Sequence, residues 1–296
     1  MKAKPLDPLA AALTLVLCVV WGFNQVVAKA ALPEIGPIAQ TGVRSGVGVC
    51  CVVLTAALTK RHVFRLDGSE AAGALAGLMF ALEFIALYES LRFTTAARSI
   101  VFLYAAPFFV GLGAALVLKD ERLRPLQWAG LMLAFLGVAV GLFGRAPGGG
   151  LTGDMLALFA AALWGATTVT IKATPLRRAD PIKVLLYQIG AAALIAPFAM
   201  LAFAEPAPSR LSAATAALLL WQGVVVVGAS YATWFWLLSR YPAPQLAAFT
   251  FVTPLVGVFA GGLVFGEEVA PLFALAIALV VAGVALVNWP RKPARI

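Results

Sequence analysis

Glu83 is the residue whose position most demands a chemical reason. It stands in Phe80–Ala81–Leu82–Glu83–Phe84, well inside an apolar run. Holding an ionised group at that depth in a bilayer costs about 2.5–3.5 kcal/mol on insertion scales. Two readings fit: a group that binds a substrate ammonium or carries a coupled proton, or one that closes a structural ion pair or a helix–helix hydrogen bond. Phe80, Glu83 and Phe84 fall at i, i+3 and i+4, so they share a helix face. Tyr104, Tyr231, Trp234 and Phe251 also lie deep in apolar runs. An aromatic wall with one carboxylate suits aromatic or amphiphilic solutes, held by stacking and cation–π contact. For each ring taken singly, helix packing or lipid contact is an equal reading.

Trp21, Gln25 and Lys29 are spaced by four, with Asn24 beside them, and Trp164, Thr168 and Lys172 repeat the stripe. One reading is a polar translocation face with a cation at each mouth, which makes Lys29 and Lys172 gating residues; the other is lysines snorkelling to the interface. Arg44 sits about two turns into its run, where pairing with an acidic neighbour is the expectation. Pro107 and Pro254 are mid-helix. Each removes a backbone donor and opens a carbonyl four residues earlier, at Leu103 and Thr250. They read as symmetric flex points or as static kinks satisfied by neighbours.

Other chemistry is poorly supplied. The only histidine, His62, lies in a basic loop, and Cys18, Cys50 and Cys51 sit in apolar runs without metal-ligand spacing. No Walker-type glycine loop is present. The expectation is no catalytic residue, no metal and no cofactor. The net charge of +9 is spread over short loops rather than gathered in one patch, so it reads as topology control and not as nucleic-acid binding. The expected partners are a small-molecule substrate and the lipid bilayer, with no obligate protein partner.

The elements that position these residues must be membrane helices. Hydrophobic residues make up 62% of the chain and charged ones 12%, against roughly 25% charged in a soluble domain. Mean hydropathy is +0.96, which leaves lipid as the solvent for most of the surface. Apolar segments run over Leu9–Leu32, Pro37–Leu58, Ala71–Leu91, Ala96–Leu118, Leu126–Phe143, Met155–Thr174, Ile182–Phe203, Ala214–Leu238, Ala243–Phe265 and Leu272–Trp289. At about 1.5 Å per residue, each spans most or all of a hydrocarbon core about 30 Å thick. The fold class is therefore all-α, with ten transmembrane helices. The first segment also has the look of a signal peptide, with Ala28–Lys29–Ala30 as a cleavage-like site, but a similar segment recurs in mid-chain.

With the N-terminus inside, most basic residues fall in inner loops, among them Lys60, Arg61, Arg65, Lys119, Arg122, Arg124, Arg177, Arg178 and Lys183. Arg92, Arg98, Arg145 and Arg210 fall outside. Both termini are then cytoplasmic. Small-xxx-small pairs at Gly42/Gly46, Gly73/Gly77 and Gly257/Gly261 predict close helix packing.

The halves look alike. Trp21–Gly22 followed by Lys29 recurs as Trp164–Gly165 followed by Lys172, and Pro107 followed by Asp120–Glu121 recurs as Pro254 followed by Glu267–Glu268. Units of five helices enter from opposite sides, so residues 1–145 and 150–296 are expected to be inverted repeats with a substrate site near the midplane between them. These features resemble the EamA-type transporters of the drug/metabolite transporter superfamily, and within it the chain is most similar to YddG-like exporters of aromatic and other amino acids. The resemblance implies amino-acid export across a bacterial inner membrane, alternating access, and a central cavity lined mainly by the first, third, fourth, sixth, eighth and ninth helices. A channel-like pore and, more remotely, an integral-membrane enzyme are the competing classes.

Overall fold

The computed structural model describes residues 4–143, 150–208, 210–266 and 271–289. Lys2, Arg145, Pro147, the Glu267–Glu268 pair and Arg291, Lys292 and Arg295 lie outside the described residues. The described residues form helices and no strand. We number ten: α1 (Pro8–Ala31), α2 (Pro37–Leu58), α3 (Glu70–Ser90), α4 (Ala96–Val117), α5 (Pro125–Phe143), α6 (Leu151–Ala173), α7 (Pro181–Ala202), α8 (Ala213–Leu238), α9 (Ala243–Phe265) and α10 (Phe273–Val287). Nine are long and apolar enough to cross a membrane, and α10 is shorter at 15 residues. This is a multi-pass membrane fold, and the segment boundaries agree with the hydropathy runs to within a few residues.

The helix starts have local causes. Pro8, Pro37, Pro125 and Pro181 occupy first-turn positions, where a missing N–H costs nothing. Asp7 and Asp180 cap α1 and α7, accepting from the Ala10 and Ile182 amides at 2.8 and 2.9 Å.

The loops sort cleanly to two faces. On one, Lys4 donates its backbone N–H to the Arg240 carbonyl, Arg61 pairs with Asp180 at 2.9 Å, and Arg124 donates to the Trp289 carbonyl. The start of α1 and the end of α10 therefore share a face with the α2–α3, α4–α5, α6–α7 and α8–α9 loops. Lys183 bridges Asp67 and Glu70 there, and its hydrogen bond holds the Asp67 carboxyl down at about 2. On the other face, Glu205 accepts from the Ile38 and Ala39 amides at the start of α2, and Glu34 accepts from the Ser212 amide.

Three helices are interrupted. α4 breaks at Tyr104–Ala105, just before Pro107, and α9 breaks at Thr250–Phe251, before Pro254. Both interruptions fall just before the prolines, but one detail of the expected backbone pattern differs. The Thr250 carbonyl is not left open, because the Thr253 amide takes it at 3.0 Å. The Phe249 carbonyl instead accepts from Cys18 Sγ on α1 at 3.2 Å. α8 winds as a π-helix over Gln222–Ser230, which no proline announces. Pro197 lies inside α7 without breaking it.

Small residues set the packing. α1 lies against α9 and α6 against α4. A Cβ added at Gly22 would come within 2.6 Å of Val256 Cβ and 2.7 Å of the Thr253 carbonyl, and one at Gly165 would meet Phe109 Cβ and the Val110 amide. α5 and α10 pair through Gly130, Gly137 and Gly283. Gly42, Gly73, Gly77 and Gly257 each face a neighbouring helix, whereas Gly46 faces open space within 4 Å. The Gly42/Gly46 pair is therefore only half a packing motif. Gly22→Ala and Gly165→Ala should each cost about 1–3 kcal/mol by overpacking, read as a lower Tm of the purified protein. Gly46→Ala should be neutral, and equal effects at all three positions would contradict this packing.

Candidate functional site

The aromatic residues converge because α1, α3, α4, α6 and α8 surround one space. A cavity of about 150 Å³ is lined by Trp21, Phe80, Glu83, Phe84, Tyr104, Trp164, Thr168, Tyr231 and Trp234, with Leu87, Leu103, Thr167, Ile171, Gln188 and Phe235. Trp21 stands edge-on to Tyr231 and Trp234, with centroids 6.0 and 5.4 Å apart, and donates its indole N–H to Ser230 Oγ at 2.8 Å. Phe80 meets Tyr231 at 6.2 Å and Phe84 at 5.1 Å. Tyr104 meets Trp164 at 5.9 Å on another part of the wall. These pairs all meet edge to face, the favoured aromatic geometry.

Among the described residues, Glu83 is the one charged side chain in that lining. Arg44, buried on α2, acts on it electrostatically, but no direct ion pair joins them among the described residues. Its guanidinium instead lies 4.6 Å from the centre of the Phe84 ring, with Nε lacking a hydrogen-bond partner. The pairing expected for Arg44 is thus a cation–π contact behind the wall. It does not occupy the Glu83 oxygens.

Three sequence candidates fall away from the cavity. Gln25 turns toward Gly257 on α9, because the close α1–α9 approach covers the face one turn beyond Trp21. Asn24 is partly buried, with its Oδ1 unpaired. Phe251 is fully buried at the α9 break, packed against Phe108 with centroids 6.5 Å apart. Gln188 was not among the candidates. A glutamine in the middle of the apolar α7 segment was the available signal, and a period of 3.6 alone did not say which neighbour it would face.

The gating candidates separate. Pro107 and Pro254 sit just beyond the two helix breaks and are buried. Lys29 is exposed, with Nζ 4.8 Å from the Phe265 ring centre. Lys172 does not snorkel. It is buried and pairs with Glu121 at 2.7 Å, while donating to the Leu238 and Tyr241 carbonyls at 3.0 and 2.7 Å. Glu121 in turn accepts from the Ala243 amide at 2.7 Å. This cluster ties α6, the α4–α5 loop and the α8–α9 loop together one residue beyond the cavity-lining Ile171. It lies between the cavity and the face that carries the basic loops, placed to act as a seal there.

A ten-helix bundle folded around an aromatic cavity, with a charged cluster between that cavity and one face, has the architecture of a membrane transporter. The chain belongs to the EamA-like transporter family, whose model matches it twice, over residues 8–143 and 151–289. It is 27% identical over 282 residues to the uncharacterized transporter YvbV of Bacillus subtilis (strain 168), covering 93% of this chain and 90% of the relative. It is 27% identical to a probable amino-acid metabolite efflux pump of Salmonella typhimurium over 92% of both chains. A probable amino-acid metabolite efflux pump of Escherichia coli (strain K12) is likewise 27% identical, over 92% of both. A solved crystal structure superposes with a TM-score of 0.79 at 19% identity, over 95% of this chain and 96% of that one, which shows the fold.

Breaking one partner of a buried pair leaves an uncompensated charge and costs about 3–5 kcal/mol. Glu121→Gln should therefore loosen the seal. A thiol placed at Ile171, in a background lacking Cys50 and Cys51, should resist an impermeant reagent applied to the basic face. In Glu121→Gln it should react at least roughly tenfold faster. Equal rates would show that the ion pair does not close this mouth.

Proposed function

We propose that this chain is a secondary transporter exporting amino acids, aromatic or otherwise neutral, and related amphiphilic metabolites across the bacterial inner membrane by alternating access. Glu83 inside the aromatic cavity carries the reading. A carboxylate in a ring-walled space of this kind receives a substrate ammonium while the rings take an apolar side chain. Tyr104, with Thr168 and Gln188, offers polar groups for the remainder of the solute. The amino-acid efflux relatives agree with that substrate class.

Alternating access rests on the two halves, residues 1–145 and 150–296, acting as inverted five-helix repeats. Their packing partners support this arrangement, because advancing every helix by five returns the same set of contacts. α1–α9 becomes α6–α4, α3–α7 becomes α8–α2, and α3–α6 becomes α8–α1. Gly22 against Val256 and Gly165 against Phe109 are the corresponding close approaches. With the basic loops on the cytoplasmic side, both termini are cytoplasmic. The Lys172–Glu121 cluster then closes the inner mouth.

Glu83→Gln keeps size and hydrogen bonding but removes charge and titration. In proteoliposomes loaded with radiolabelled phenylalanine, affinity weakened at every pH marks ammonium binding. Flux retained with its pH dependence lost marks proton coupling. Affinity, rate and pH profile all unchanged would overturn the role given to Glu83.

A further inference from the structure

Away from the cavity, a groove of about 960 Å³ opens on the basic face where α1, α7 and α8 meet. Its rim carries Arg61, Arg177, Arg178 and Arg240 against the single carboxylate of Asp180. That carboxylate is already engaged, since both its oxygens accept from Arg61 at 3.0 and 2.9 Å. Arg178 and Arg240 are exposed and enter no ion pair among the described residues. Arg240 lies 4.2 Å over the Trp236 ring, which fixes its guanidinium at the groove edge.

The inner wall is apolar, with Leu13, Ile182, Ala232 and Trp236 among its residues. Leu9 and Val16, on the same face of α1 as Leu13, are exposed. In a membrane helix that face meets lipid. The groove therefore joins a cationic rim to an apolar wall continuous with the acyl region. Trp236 sits where interfacial tryptophans sit.

We propose that this groove is a binding site for an anionic phospholipid, with its phosphate held by Arg178 and Arg240 and its acyl chain laid along Leu13 and Ile182. A soluble phosphate would satisfy the rim but leave the apolar wall uncovered. Basic pockets between transmembrane helices at the charged face are built for such headgroups. Guanidinium forks match phosphate oxygens better than a point charge does.

Native mass spectrometry of the full chain tests this, with phosphatidylglycerol and phosphatidylethanolamine of matched acyl chains as probes. The wild type should retain phosphatidylglycerol in preference. Arg178→Gln with Arg240→Gln should weaken that retention by roughly 10–30-fold, at about 1 kcal/mol per basic group. The charge-matched Arg65→Gln with Arg122→Gln, exposed on the same face but outside the groove, should retain it. Equal loss in both pairs would reduce the effect to general surface potential and overturn the site, as would no loss in either. Displacement of the lipid by soluble glycerol phosphate would overturn the lipid assignment in favour of a free anion. The wild-type protein gives an independent reading. Brominated phosphatidylglycerol should quench a component of tryptophan fluorescence that is missing in Trp236→Phe, and identical quenching in the two proteins would place the lipid elsewhere.

Discussion

In hydrocarbon, a backbone N–H or C=O that is not paired within the protein costs several kcal/mol. That constraint governs where this bundle can be irregular. α4 and α9 break before Pro107 and Pro254, and α8 widens into a π-helix. The α4 and α9 breaks are buried, whereas the π-helix exposes Val224 and Ala229 on its outer side while its inner side is buried. Tyr104, at the α4 break, lines the cavity. The α9 break lies in the buried core behind it, where Thr253 and Cys18 supply the donors. The π-helix of α8 ends at Ser230, whose hydroxyl receives the Trp21 indole, and it delivers Tyr231 and Trp234 to the wall. The α4 break and the end of the π-helix thus border the cavity, and Tyr104, Tyr231 and Trp234 line it there.

The charges are distributed by the same logic. An ion pair at membrane depth is a poor source of stability, because desolvation consumes most of the attraction. Lys172 and Glu121 are paired, buried and supplied with three backbone partners, so each is fully satisfied only while the surrounding loops stay together. That makes the pair a condition on the shape of one mouth. Glu83 differs from it. It lines the cavity, and Arg44 packs against Phe84 without an ion pair to it among the described residues.

Much of this was legible in the sequence, because apolar runs bounded by proline and charge fix membrane helices almost by length alone. Glu83 and its flanking phenylalanines were readable for the same reason, since a carboxylate in an apolar run has few places to go. What failed were inferences about rotation. The four-residue stripe put Gln25 with Trp21, but the glycine contacts at Gly22 and Gly257 bring α9 across that face. Phe251 looked like a wall residue until the helix break turned it into the core. The π-helix of α8 has no proline to announce it, and the Arg44–Phe84 contact depends on two helices meeting. Neither is encoded in a local pattern.

The central claim is that one cavity is exposed to the two faces in turn. Electron–electron distance measurements between spin labels test it directly. One pair, at Asp120 and Ser239, spans the basic-face mouth, and the other, at Arg92 and Leu272, spans the opposite mouth. All four positions are exposed. On adding phenylalanine to the reconstituted protein, the two distance distributions should shift in opposite senses, one mouth widening as the other narrows. Simultaneous widening of both would mean a continuous pore, and two unmoved distributions would mean that the cavity does not alternate in response to an amino acid.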